Sequence, residues 1–151
     1  DGVSYGRSPK DARNWRQKML AEVKLDPTRT HFLGKVSYEN YRRVLQVSAA
    51  HLYLTYPFVL SWSALEAMAT GCLVIGSRTA PVEEVLEDGR NGLLVDFFDI
   101  QGIAERVVEA ITEPRRFDEL RWQAQRMVRE SFSVEKGVAG YEKLIGLEEG
   151  T

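Results

Sequence analysis

Residues 56–66 carry the residue types of an anion and diol site. Tyr56-Pro57-Phe58-Val59-Leu60-Ser61-Trp62 follows a strand-like run and leads into Ser63-Ala64-Leu65-Glu66-Ala67-Met68-Ala69-Thr70, a stretch of helical composition. A loop that enters a helix beyond a strand end leaves backbone N–H groups unpaired, and such groups hold anions. Glu66, one turn into that helix, brings a carboxylate able to accept hydrogen bonds from a neighbouring sugar diol. A structural reading fits the same residues. Ser63-Ala64-Leu65-Glu66 has the pattern of a capping box, with Glu66 reaching back to the Ser63 amide. The residues alone leave both readings open.

Other reactive residue types form weaker patterns. His31 and His51 each open an apolar run without spaced partners, so they read as surface or part-satisfied histidines and no metal site is expected. Ser61, Ser63 and the histidines do not form a nucleophile elbow. Cys72 is the single cysteine, which excludes an internal disulfide framework and a cysteine-based zinc site. It reads as a small buried strand residue. Arg115, Arg116, Arg121, Arg126 and Arg129 share the last third with acidic residues and read as a solvated face. Trp62 either stacks on a ligand or packs at a core or domain interface; Tyr56 and Phe58 either line a cleft or seal it.

The elements that must position these residues alternate between helical and strand periods. Residues 11–23 read as a helix with Trp15, Met19, Leu20 and Val23 on one face, stopped at Asp26-Pro27. His31-Phe32-Leu33-Gly34 reads as a short strand. Ser37 caps a helix that buries Tyr41, Val44, Leu45 and Val47. His51–Thr55 is a buried strand, and Gly71 ends the helix that begins at Ser63. Cys72–Gly76 is an almost wholly apolar run, as suits a parallel sheet covered on both faces. Pro81 opens a helix with Glu83 and Glu84 near its positive end. Leu93-Leu94-Val95 is a further strand. Asp99 caps a helix with Ile100, Ile103, Ala104, Val107, Val108 and Ile111 as its apolar residues. A second helix buries Phe117, Leu120, Ala124, Met127 and Val128. Ser133 caps a third, with Val138, Tyr141, Leu144 and Ile145 inward. This order predicts an α/β fold, a Rossmann-like doubly wound parallel sheet with a helical C-terminal region. Ligands in such sheets bind beyond the carboxyl ends of the strands.

Composition narrows the function classes. The chain has 151 residues, 44% hydrophobic and 28% charged, which suits one soluble globular domain. Its net charge of −2, from 20 basic and 22 acidic residues, argues against a nucleic-acid surface. No apolar run reaches the ~18 residues of a membrane span, and no signal peptide opens the chain. One cysteine and no leader point to a cytoplasmic location. The opening Asp1-Gly2-Val3-Ser4-Tyr5-Gly6, without an initiator Met, reads as a loop entered from an upstream region.

Four segments in order resemble a known family. They are His31-Phe32-Leu33-Gly34-Lys35-Val36; Leu65-Glu66-Ala67-Met68-Ala69-Thr70-Gly71-Cys72-Leu73-Val74-Ile75; the Pro81–Val85 helix start; and Asp88-Gly89-Arg90-Asn91-Gly92-Leu93-Leu94-Val95. Together they resemble the C-terminal, nucleotide-sugar-binding domain of retaining GT-B glycosyltransferases of family four, the glycosyl transferases group 1. The resemblance spans about residues 30–98. It implies a single donor-binding domain over 1–151, truncated at its N-terminal end, missing its first strands, and lacking the acceptor domain. It implies transfer of a hexosyl group from a nucleotide diphosphate sugar, with retention and without a metal or other cofactor. Polysaccharide or glycolipid assembly is the expected setting.

Residue by residue, the resemblance implies that Glu66 binds the ribose hydroxyls and that the backbone near Val36 reads the base. Amides of Leu60, Ser61 and Trp62 would face the diphosphate, with the Ser61 hydroxyl as an added donor. The family's first acidic position falls on Phe58, which cannot accept a hydrogen bond; this departure bears on how the donor sugar is held. It also supports an alternative, a non-catalytic binding or assembly module built on the same fold. No residue here is assigned as catalytic, because the acceptor and any base belong to the absent N-terminal domain. The chain alone is therefore expected not to turn over. Self-association through the incomplete side of the sheet is expected, and any peripheral membrane contact is expected from the full-length protein.

Overall fold

The computed structural model describes residues 8–56 and 59–146. The chain divides into two compact units, Asp1–Val36 and Ser37–Thr151.

The first unit contains one helix among its described residues, α1 (Trp15–Glu22). Asn14 starts it, its side chain accepting the Gln17 amide at 2.8 Å. Lys18 then sits between Asp11 and Glu22, at 2.6 and 3.1 Å. The inward face expected for this helix is not buried: Trp15, Met19, Leu20 and Val23 are 41–50% exposed. Nor do His31–Gly34 form a strand. A strand needs a neighbour to take its ladder of N–H and C=O groups, and none of the three strands pairs with this segment. Phe32 instead lies under the Arg16 guanidinium, 3.9 Å from the ring centroid, a cation–π contact.

The second unit holds a three-stranded parallel sheet in the order β1 (Ala50–Tyr53), β2 (Leu73–Ser77), β3 (Leu93–Val95). Around it run α2 (Tyr38–Val47), α3 (Trp62–Ala69), α4 (Ala80–Glu83), α5 (Ile100–Thr112), a 3₁₀ turn (Pro114–Phe117), α6 (Asp118–Ser131) and α7 (Val134–Leu144). Register places Ala50 beside Leu73 and Tyr53 beside Gly76, then Ile75 beside Leu93 and Ser77 beside Val95.

Alternation along β2 sorts the core onto two faces. Val74 points with Leu94 into one cluster, shared with Leu45 of α2, Leu65 and Met68 of α3, and Ala124 and Val128 of α6. Leu73 and Ile75 point with Leu93 and Val95 into another, shared with Ala110 of α5 and Phe117. Both faces of β2 are therefore covered, and all five of its residues are buried. This is the reason for its unbroken apolar run, which an amphipathic edge strand would not tolerate. The α/β, parallel, doubly covered arrangement follows the sequence-based expectation. The far edge of β1 has no strand partner among the described residues.

Three helix faces differ from expectation. In α5 the covered line is Ile103, Val107 and Ala110, while Ile100, Ala104, Val108 and Ile111 face outward. An apolar stripe wider than the sheet's footprint cannot all be covered. In α7, Val138, Tyr141 and Leu144 are 49%, 72% and 81% exposed, and Ile145 just beyond it 64%. Its helical spacing is real, but nothing among the described residues covers that face. In α2, Leu45 is buried and Tyr41 packs on the core, whereas Val47 is 84% exposed.

Two glycines give opposite expectations. A Cβ at Gly92 would stand 2.7 Å from Leu86 Cδ1 and 2.9 Å from the Val74 carbonyl oxygen. Gly92→Ala should therefore lower stability by about 1–3 kcal/mol, the usual cost of overpacking. Gly137, within α7, has open space around its Cα, so Gly137→Ala should raise stability by about 0.5–1 kcal/mol through helix propensity. Urea unfolding midpoints of the two variants check both signs.

Candidate functional site

The loop between β1 and α3 is pinned at both ends. At its start, the Ser77 hydroxyl at the end of β2 donates to the Thr55 carbonyl at 2.9 Å and accepts the Thr55 amide at 3.0 Å. Ser77 is fully buried, so these bonds also satisfy a hydroxyl that would otherwise be costly to bury. At the loop's end, the Ser61 amide donates to the Tyr53 phenol oxygen at 2.8 Å. Neither Ser77 nor Tyr53 stood out in the sequence, since a Ser closing an apolar run and a Tyr inside a strand are ordinary there.

Ser61 caps α3. Its backbone is extended, and its Oγ accepts the Ser63 amide at 3.3 Å and the Ser63 hydroxyl at 3.2 Å. The capping box centred on Ser63 does not form. With Ser61 as cap, the box position three residues on is Ala64, and Glu66 lies too deep in the helix to reach back. Of the three amides expected to face an anion, that of Ser61 is taken by Tyr53. Those of Leu60 and Trp62 have no acceptor among the described residues. The Ser61 hydroxyl accepts in both its hydrogen bonds and keeps its own proton to donate.

Glu66 is half-buried and faces α2. Two tyrosines one turn apart, Tyr38 and Tyr41, stand beside it with ring centroids 6.2 Å apart. The Glu66 carboxylate raises the Tyr38 phenol above its usual pKa, first as hydrogen-bond partner and then by charge. Burial raises Tyr41, with the Glu66 charge adding to it. Both phenols therefore stay protonated donors near neutral pH. The Tyr41 Oη is buried without a hydrogen-bond partner among the described residues. By sequence Tyr41 reads only as a core residue; the spacing of Tyr38 and Tyr41 on the helix before β1 is the available signal.

Leu60 also lines an open groove of ≈ 530 Å³ with Val59, Pro81 and Glu84, where the loop meets the start of α4. Beyond the same carboxyl ends of the strands, Tyr56, Phe97 and Phe98 form a cluster of three rings with centroids 5.0–5.9 Å apart. Trp62 is 77% exposed. Leu60, Ser61, Trp62 and Glu66 thus gather at one helix end. Val36 closes the first unit and is 38% exposed. Phe58 lies outside the described residues. A second cavity, of ≈ 560 Å³, runs beside α5 and involves none of the expected residues. Asp96, Asp99, Glu105 and Glu109 outnumber Arg106 on its walls, a poor setting for an anion.

The remaining reactive types are quiet. His51 packs against Tyr53, and burial lowers its pKa. Cys72 is buried on β2's approach, and burial pushes its thiol up to about 11. Among the described residues no three His, Cys, Asp or Glu come together to hold a metal ion. No helix among them is long and apolar enough to cross a membrane.

Residues 3–113 match the family described as glycosyl transferases group 1. The chain is 31% identical over 116 residues to N-acetyl-alpha-D-glucosaminyl L-malate synthase of Bacillus anthracis, covering 77% of this chain and 30% of that protein. It is 27% identical over 115 residues to an uncharacterized glycosyltransferase of Methanocaldococcus jannaschii, covering 76% and 29%. The chain thus spans about 30% of the length of these curated relatives. In fold it is similar to Anabaena HepE in complex with UDP-glucose, with a TM-score of 0.76 at 20% identity over 87% of this chain and 36% of that one. It is also similar to TarM, with a TM-score of 0.66 at 18% identity over 85% and 26%.

Cys72 offers a direct check on burial at the sheet. With its pKa pushed up to about 11, the thiol is ionised in about one molecule per thousand at pH 8. Iodoacetamide should leave the native chain unlabelled at pH 8 and label the unfolded chain readily. Prompt labelling of the native chain would contradict the packing described.

Proposed function

Since the chain belongs to the glycosyl transferases group 1 family, we propose that it is the donor-binding part of a retaining glycosyltransferase acting on a nucleotide diphosphate sugar. The observation that carries this reading is one juxtaposition. The start of α3 offers amides at Leu60 and Trp62 with no acceptor among the described residues and a Ser61 hydroxyl that there only accepts, with the Glu66 carboxylate one turn behind them.

In this reading Glu66 accepts hydrogen bonds from the ribose diol. The Leu60 and Trp62 amides and the Ser61 hydroxyl meet the diphosphate. When the bond from sugar to diphosphate breaks, negative charge grows on the leaving oxygen. Fixed N–H dipoles at a helix start stabilise that charge without reorganising. The acceptor and any proton-transferring group come from an N-terminal domain, so this chain binds the donor but does not turn over alone. The transferred group is a hexose, and no metal is required. The uridine diphosphate series is the first to test, because HepE structures that share the fold hold UDP-glucose and UDP.

A second reading rests on a specific residue. Phe58 stands where the family places its first acid, and a domain that kept the fold without that acid would bind or assemble without catalysis.

The test uses the full-length protein, titrated calorimetrically with UDP, GDP and ADP and with their sugar conjugates. One diphosphate series should bind, and Glu66→Ala should weaken it by about 10-fold to 100-fold, as expected for hydrogen bonds to a charged group. The same variant should have a smaller effect on the 2′-deoxy nucleotide, which lacks half of the diol. Undiminished transfer by Glu66→Ala would end the ribose assignment. Donor binding without transfer to any acceptor would favour the non-catalytic reading.

A further inference from the structure

Tyr56, Phe97 and Phe98 come from two separate strand ends yet meet as one cluster. Tyr56 lies three residues beyond β1, and Phe97 and Phe98 form the turn after β3. The ring pairs are all edge-on: Tyr56–Phe97 at 5.5 Å and 69°, Tyr56–Phe98 at 5.9 Å and 60°, Phe97–Phe98 at 5.0 Å and 82°. The turn that presents the two phenylalanines is built, not loose: the Asp96 side chain accepts the Phe98 amide at 2.9 Å, and the Asp96 carbonyl accepts the Asp99 amide at 3.1 Å. Even so, Tyr56 is 64% exposed and Phe98 71%. Each edge-on contact covers part of one ring face, yet most of the Tyr56 and Phe98 surface stays open to solvent.

An exposed aromatic cluster calls for an occupant, and its position indicates which. It stands at the carboxyl end of the parallel sheet, where ligands of such folds bind. Tyr56 opens the same loop that ends in the Leu60–Trp62 amides, so the rings and the anion-facing donors are separated by only a few residues of chain. At the same end, two residues past β2, Thr79 has a buried Oγ1 with no hydrogen-bond partner among the described residues. Although it caps α4, its side chain makes no cap bond. A ring face carries negative charge and suits the C–H face of a pyranose, whose hydroxyls point outward to partners such as a hydroxyl.

We propose that Tyr56, Phe97 and Phe98 form a stacking platform for the hexose ring of the donor. The platform sets how the sugar, rather than the nucleotide, is held. The proposal rests on the donor-binding reading above.

The test is calorimetry on the full-length protein with UDP, GDP and ADP, each paired with its glucose conjugate. In the wild type, the conjugate of the diphosphate that binds should bind more tightly than the diphosphate itself. Phe98→Ala and Tyr56→Ala should shrink that advantage about fivefold to tenfold, in line with one lost aromatic contact, and leave the affinity for the bare diphosphate unchanged. Tyr56→Phe should retain the advantage, and Phe98→Leu, apolar but without a ring, should lose it. A sugar advantage that survives in Phe98→Ala overturns the platform. So does a parallel loss for diphosphate and conjugate, which would mark the rings as nucleotide contacts or fold supports. If no diphosphate binds the wild type, the donor-binding reading itself fails and the platform falls with it.

Discussion

One hydrogen bond decides what Glu66 can do. The Ser61 amide donates to the Tyr53 phenol, which fixes the residue at which the chain turns from loop to helix. With Ser61 as the cap, Glu66 lies beyond the first turn and faces α2 and its tyrosines. Had α3 begun two residues later, at the cap Ser63 offers, Glu66 would sit at the position whose carboxylate folds back onto the cap amide. The same acid would then serve only its own helix. Tyr53 can impose this choice because it lies at the end of a strand held in register with β2 and buried against the core.

The sheet supplies the rigidity that this bond requires. β2 is buried over its whole length and has helices on both faces. Its last residue, Ser77, ties Thr55 to the carboxyl end of the sheet. The loop that follows is therefore anchored at Thr55 and again at Ser61. A site that must offer backbone amides to a ligand gains from such anchoring, because donors already in place need no ordering when charge develops. Glu66 stands beside Tyr38 of α2, and its carboxylate raises that phenol above its usual pKa.

Much of this was legible in the residues. The apolar run at Cys72–Gly76, the Ser37, Asp99 and Ser133 caps, and the breaks at Gly71 and Pro114 are local signals, and all correspond to element ends in the structure. What could not be read depends on partners distant in sequence. His31–Gly34 has strand composition but no strand partner among the described residues. The apolar spacing of α1 and α7 predicts a face without saying what covers it. Ser61 and Ser63 are equally good caps by type; the phenol of Tyr53, eight residues upstream of Ser61, separates them. The aromatic cluster joins residues about forty apart in sequence, a separation that no periodicity reports.

In the proposed reading the start of α3 is the surface a nucleotide diphosphate meets. Hydrogen–deuterium exchange of the full-length protein, with and without the diphosphate that binds it, tests this at the level of single amides. Slowed exchange at Leu60 and Trp62, with little change along α5, is the predicted result. Protection centred on the acidic cavity beside α5, with Leu60 and Trp62 unaffected, would contradict it.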